Sequence, residues 1–155
     1  MKRPPLLGKL HRSLRSRGRR LQVGALPYRQ KEDGSLEVLL VTTRGTGRWM
    51  VPKGWPMAGK SFAEAAEQEA FEEGGVRGSI SAEEIGSFDH DKTRLLSRPL
   101  RCKVAVYLMK VEHEMTRWPE QGERRRRWFG LEEAARAVSS ERLSQIIRSI
   151  EGPRL

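Results

Sequence analysis

A chain of 155 residues is long enough to bury one core without help from disulfides or metals. The single cysteine, Cys102, excludes an internal disulfide framework, and His11, His90 and His113 are scattered without zinc-ligand spacing. The formal charge of +10 sits at one end: residues 1–31 hold ten of the 30 Lys and Arg residues and none of the 20 Asp and Glu, which leaves 20 of each sign in residues 32–155.

Residues 1–18 form a basic segment with Leu7, Leu10 and Leu14 at rough helical spacing. Its composition reads as a flexible, solvated arm. The sharper readings are an arm that touches nucleic acid or another anionic partner, or a transit peptide, which is likewise Arg-rich and acid-poor. It lacks the apolar core of a secretory signal, and no apolar run approaches the ~20 residues needed to cross a bilayer. A soluble cytoplasmic protein is therefore expected, with its folded domain over residues 19–151 and no membrane partner. Composition does not determine the oligomeric state.

Apolar alternation over residues 21–28, a turn at Asp33-Gly34 and a second alternating run over 37–43 predict a β-hairpin. Residues 44–48 form a glycine-bearing loop. Residues 49–51 are a brief extended segment stopped by Pro52, which cannot donate to a sheet ladder. A helix follows from about Phe62: Ser61 and Glu64 form a capping-box signature, and Gly74-Gly75 supplies a left-handed stop. At ~100° per residue, Glu69, Glu72 and Glu73 fall on the side that carries Phe62, Ala65 and Ala66 and should face the domain. Glu64, Glu67 and Gln68 point elsewhere, and Phe71 lies on the outer side with no evident packing role.

Downstream, residues 85–88 read as a short strand, 89–101 as a polar basic connection, and 103–111 as the clearest later strand. The run Arg124 to Arg127 reads as exposed except where Arg127 enters the Trp128-Phe129 segment. Two helices are predicted over 131–138 and 141–150. In the second, Leu143, Ile146, Ile147 and Ile150 form an i, i+3, i+4, i+7 stripe suited to core packing. These elements suggest a mixed sheet covered on both faces.

Two chemical readings compete for residues 54–76. Gly54 to Ser61 fits the phosphate-loop pattern G-x-x-x-x-G-K-[ST], which would make the chain a phosphate-loop nucleotide-binding protein. That motif needs an apolar strand running into its first glycine and a later strand ending in a metal-holding Asp. Here Pro52-Lys53 precedes Gly54, no later strand ends in Asp, and Pro56 offers no amide to the cradle. The helix raises the other question. It carries five glutamates and no basic residue between Ser61 and Val76, and three of those carboxylates lie toward the domain. Desolvating them is costly unless a cation neutralises them, and hard divalent cations take oxygen ligands.

Gly54, Glu69, Ala70, Glu72, Glu73, Gly75 and Val76 resemble the Nudix box, G-x5-E-x7-R-E-U-x-E-E-x-G-U with U a bulky aliphatic, in the same spacing. Lys60 stands where the box has its first Glu, Gln68 where it has Arg, and Ala70 is a small occupant of a U position. The segments 48–54 and 127–134 also resemble the family's approach to the box and its W-F plus short helix. Among its branches the chain most resembles the diphosphoinositol polyphosphate and diadenosine polyphosphate phosphohydrolases.

The resemblance implies an α/β/α sandwich with a mixed central sheet, and Mg²⁺- or Mn²⁺-dependent hydrolysis of a diphosphate linkage in a small-molecule polyphosphate. It implies Glu69, Glu72 and Glu73 as metal ligands, with Glu72 or Glu69 taking the proton of the attacking water; Glu112, Glu114 and Glu120 are alternatives on later segments. Lys53 and Gly54 are the leading substrate contacts, joined by Arg44, Arg48, Arg94 and Lys103. Trp49 and Trp55 are candidates to stack on a base. A Nudix-fold module that binds nucleic acid through the basic arm is the remaining alternative.

Overall fold

The computed structural model describes residues 19–92 and 98–150. The basic arm, the last five residues and Arg94 lie outside the described residues.

β1 (Arg20–Gln30) is the central strand. It turns through Asp33-Gly34 into β2 (Leu36–Thr42), with Tyr28 opposite Val38 in an antiparallel ladder. The Asp33 carboxylate accepts from the backbone and hydroxyl of Ser35, and Gly34 adopts φ 89°, which explains the turn. β3 (Trp49–Met50) pairs with β2, and β4 (Lys53–Gly54) pairs with β1. Pro52 interrupts between them, yet its carbonyl accepts from Ala25 N–H at 3.0 Å, so the segment stays stitched to the sheet.

The helix α1 (Phe62–Gly74) has the predicted ends. Ser61 Oγ accepts from Glu64 N–H at 3.0 Å, Glu64 Oε1 accepts from Ser61 N–H at 2.8 Å, and Gly75 closes the helix at φ 67°. Phe71 has a partner after all: the Arg77 guanidinium lies 3.8 Å from its ring centroid.

β5 (Val76–Lys92) is 17 residues long, where the sequence suggested only a short strand at 85–88. It pairs antiparallel with β6 (Leu100–Glu114) from Val76↔Glu114 to Lys92↔Leu100, through register shifts near Gly78, Glu84 and Gly86. The two ends of the predicted polar connection, residues 89–92 and 100–101, are therefore strand. β6 runs parallel to β1, which completes a seven-stranded mixed sheet with the path β3-β2-β1-β6-β5.

β7 (Arg126–Gly130) pairs with β2 and leads into α2 (Leu131–Ala137) and α3 (Glu141–Arg148). On one sheet face, Leu26, Val38, Leu40, Val104 and Val106 pack against Ala134, Leu143, Ile146 and Ile147. On the other, Val23, Ala25, Leu39 and Ala105 pack against Ala63, Ala65, Ala66 and Ala70 of α1. The result is an α/β/α sandwich. Because β1 is covered on both faces, it is buried from Gln22 to Tyr28 without a solvent-facing alternation.

Ser61 acts here as a helix cap. Replacing it (Ser61→Ala) should lower stability by about 1 kcal/mol, or roughly 2–4 °C in melting temperature for a domain of this size. A thermal melt of the purified variant checks this.

Candidate active site

The alanines of α1 have no side-chain bulk, so the helix approaches β1 closely and its last two turns lie beside β4. Glu69 and Glu73 are buried there at 9% and 6% exposure, and Glu72 is partly buried. Gly54 makes the approach possible, since a Cβ at that position would overlap the Glu69 carboxylate. Glu73 Oε1 accepts from the Lys53 backbone N–H at 3.2 Å, and its Oε2 lies 3.3 Å from the Arg124 guanidinium. Glu72 Oε2 accepts from the Gln68 amide at 2.8 Å. The residue standing in place of the box arginine thus still orients a glutamate, without adding charge.

Arg124 is the cleft residue that the sequence did not single out. Besides Glu73, it donates to Glu120 at 2.8 Å and to the Thr42 carbonyl at 3.1 Å, with only 11% of its side chain exposed. The tetra-arginine run divides differently from the expectation. Arg124 and Arg126 turn inward, while Arg125 and Arg127 are exposed. Arg126 donates to the Gly74 and Gly75 carbonyls at 2.9 and 3.2 Å, supplying at the C-terminus of α1 the positive charge that its last turn lacks. Strand alternation separates these roles, but the local sequence carries no signal of which pair faces in.

A cleft of about 540 Å³ contains Glu69, Glu72, Glu73 and Glu120 together with Lys53, Arg44, Arg48, Lys92 and Arg124. Gly54 and Trp55 also line it; Trp55 is 39% exposed, whereas Trp49 packs edge-on against Phe129 at 5.0 Å. Arg44 pairs with Glu123 at 2.7 Å. Lys103 is not among the lining residues; it sits in β6 opposite Leu21 and Asp89. Of the alternative bases, only Glu120 lines the cleft. Glu112 accepts from Ser79, and Glu114 accepts from Trp128 and lies near Arg29 and Arg126. Lys60 is exposed and outside the cleft, so the phosphate-loop pattern does not bring its lysine to the site.

Burial, then the neighbouring charges of Glu73, Glu72 and Glu120, push the Glu69 carboxyl up to about 8. Burial likewise raises Glu73 to about 7, against the lowering pull of Arg124. Burial draws the Lys53 ammonium down, partly opposed by Glu73. Among the described residues no three carboxylate, imidazole or thiol groups already converge as a ready metal cage. The donor set nevertheless suits a hard cation: oxygen ligands only, in a cleft where anionic charge is held at a cost.

The two-sided sandwich thus joins clustered carboxylates with lysine and arginine side chains in one cleft, and the comparisons with known proteins give the class. The NUDIX domain family model matches residues 18–149, and the chain belongs to the Nudix hydrolase family, whose members use divalent metal ions. It is 33% identical over 129 residues to Nudix hydrolase 16, mitochondrial, of Arabidopsis thaliana, covering 76% of this chain and 71% of that protein. It is 31% identical over 112 residues to diphosphoinositol polyphosphate phosphohydrolase 3-beta of Bos taurus, covering 70% of this chain and 62% of that protein. In fold it resembles the Ap4A hydrolase of C. elegans, with a TM-score of 0.61 at 19% identity over 84% of this chain and 94% of that one. No helix among the described residues is long and apolar enough to cross a membrane.

Without metal, the raised carboxyls have a definite pH signature. Their folded pKa values lie above the ordinary 4.5, so between that pH and about 8 the folded state holds more protons than the unfolded chain. Stability is then lost as pH rises across this window. In chelator, wild type should fall in melting temperature relative to Glu69→Gln between about pH 5 and about pH 8.5. A difference that stays constant with pH would contradict this electrostatic picture.

Proposed function

We propose that this Nudix hydrolase cleaves a diphosphate linkage in a highly phosphorylated small molecule of the dinucleoside polyphosphate or inositol pyrophosphate type, with Mg²⁺ or Mn²⁺ as cofactor. The observation that carries the proposal is the joining, in one cleft, of Glu69, Glu72 and Glu73 with Lys53, Arg44, Arg48 and Arg124. The glutamates would hold the cation, which when bound lowers the pKa of water and neutralises charge on phosphate oxygens. Several cations in one cleft suit a chain of phosphates better than a single diphosphate. The relatives named for diphosphoinositol polyphosphate and Ap4A support the same class.

The roles of the chain's own residues follow from where they sit. Lys53 and Gly54 form the edge against which the phosphate chain lies, with Arg44 and Arg48 lining the same cleft from the loop that precedes β3. Glu72, oriented by Gln68, or Glu69, packed against Gly54, takes the proton from the attacking water. Arg124 favours the ionised form of Glu73, partly opposing its burial, and holds it in place while it tethers Glu120.

Hydrolysis of diadenosine polyphosphates with Mg²⁺ or Mn²⁺ tests the proposal. Glu72→Gln should reduce kcat by about a hundredfold or more, while Lys60→Ala leaves it nearly unchanged. Undiminished turnover in Glu72→Gln would remove the proposed mechanism, and loss of nucleotide binding in Lys60→Ala would favour the phosphate-loop reading.

A further inference from the structure

Gln22 is 2% exposed, lines the cleft, and its Oε1 has no hydrogen-bond partner among the described residues. The other buried side-chain atom in that condition, Trp118 Nε1, is not in the cleft. A buried carbonyl left without a donor destabilises a fold, and such an atom at a binding surface points to a ligand group that satisfies it. Gln22 lies opposite Val104 in β6, and Val104 lies opposite Phe88 in β5, so its side chain rises from an otherwise apolar stretch of the sheet. Two register positions away on the same strands, Cys102 lies opposite His90, which also lines the cleft. Burial and the charges of Lys53 and Lys92 hold that imidazole neutral down to about pH 4, so this part of the cleft offers hydrogen bonds rather than a further cation.

We propose that Gln22 is a specificity-determining residue whose side-chain carbonyl accepts a hydrogen bond from a hydroxyl or amino group on the organic moiety of the substrate. This rests on the polyphosphate reading of the cleft and narrows it. Ionised phosphate oxygens are acceptors only and cannot satisfy Oε1. A nucleoside carries ribose hydroxyls and, in adenosine, an exocyclic amine. A fully phosphorylated inositol ring carries no free hydroxyl. Trp55, partly exposed on the same cleft, adds a planar surface on which a base can stack. The combination selects a nucleoside end over a fully phosphorylated ring.

The test compares wild type with Gln22→Leu by calorimetric titration in magnesium. The three probes are methylene-bridged diadenosine tetraphosphate, inositol hexakisphosphate and a methylene-bridged inorganic triphosphate, and each protein is also melted without ligand. Gln22→Leu should weaken the dinucleotide about tenfold, equivalent to about 1.4 kcal/mol. It should leave the other two affinities unchanged and the ligand-free melting temperature equal or higher. Gln22→Met serves if the leucine variant does not fold. Equal affinity of variant and wild type for the dinucleotide overturns the assignment alone, as does an equal loss for all three ligands, which would place Gln22 on phosphate. Weaker dinucleotide binding together with a lower melting temperature overturns it as well, by placing the effect in the fold. A wild type that binds none of the three overturns the polyphosphate reading and this inference with it.

Discussion

Two carboxylates, Glu69 and Glu73, are packed against the backbone of Lys53 and Gly54, and the rest of the site is arranged around that contact. Desolvating them is unfavourable, and their mutual repulsion adds to the cost. What holds them there is mostly apolar: Ala65, Ala66 and Ala70 are fully buried and let α1 approach β1, while Gly54 leaves room for the Glu69 side chain. Polar support comes from the Lys53 amide and from Arg124, which reaches Glu73 from the segment before β7. The end of α1 is fastened by Arg126 on its last carbonyls and by Glu120 N–H donating to the Glu72 carbonyl at 2.9 Å. A costly electrostatic arrangement held by a packed scaffold is what a hydrolase that used a divalent cation would need, since the charge is ordered before the ligand arrives.

The two departures from the Nudix box take on physical meaning in this setting. Lys60 replaces an acidic residue at an exposed position before the helix, outside the cleft, so its charge does not enter the carboxylate cluster at close range. Gln68 stands where the box has arginine, and an orienting donor and a positive charge come from two different residues. The amide of Gln68 orients Glu72, and the guanidinium of Arg124, more than fifty residues later in the chain, neutralises Glu73. The buried cluster therefore keeps both an orienting donor and a positive charge.

Much of this was legible in the sequence where the governing interactions are local. The ends of α1 follow from Ser61, Glu64 and Gly75, the hairpin from Asp33-Gly34, and the apolar stripe of α3 from residues three and four apart. The inward face of α1 could be read because helical geometry places Glu69 and Glu73 with the alanines. β5 was underestimated because its Ser, Gly and Glu residues favour no strand locally; its extent is set by the partner strand β6. The inward turn of Arg124 was hidden in four consecutive arginines. Gln22 left a faint trace, as a polar residue in a strand whose neighbours are apolar, but its unpartnered carbonyl depends on three strands coming together.

The central claim is that Glu69, Glu72 and Glu73 together create the affinity for a divalent ion. It is tested most directly by titrating Mn²⁺ into metal-free protein and following free manganese by electron paramagnetic resonance. The wild type should bind the ion, and the variant carrying Glu69→Gln, Glu72→Gln and Glu73→Gln, still folded by circular dichroism, should not. Equal binding by both proteins would contradict the account.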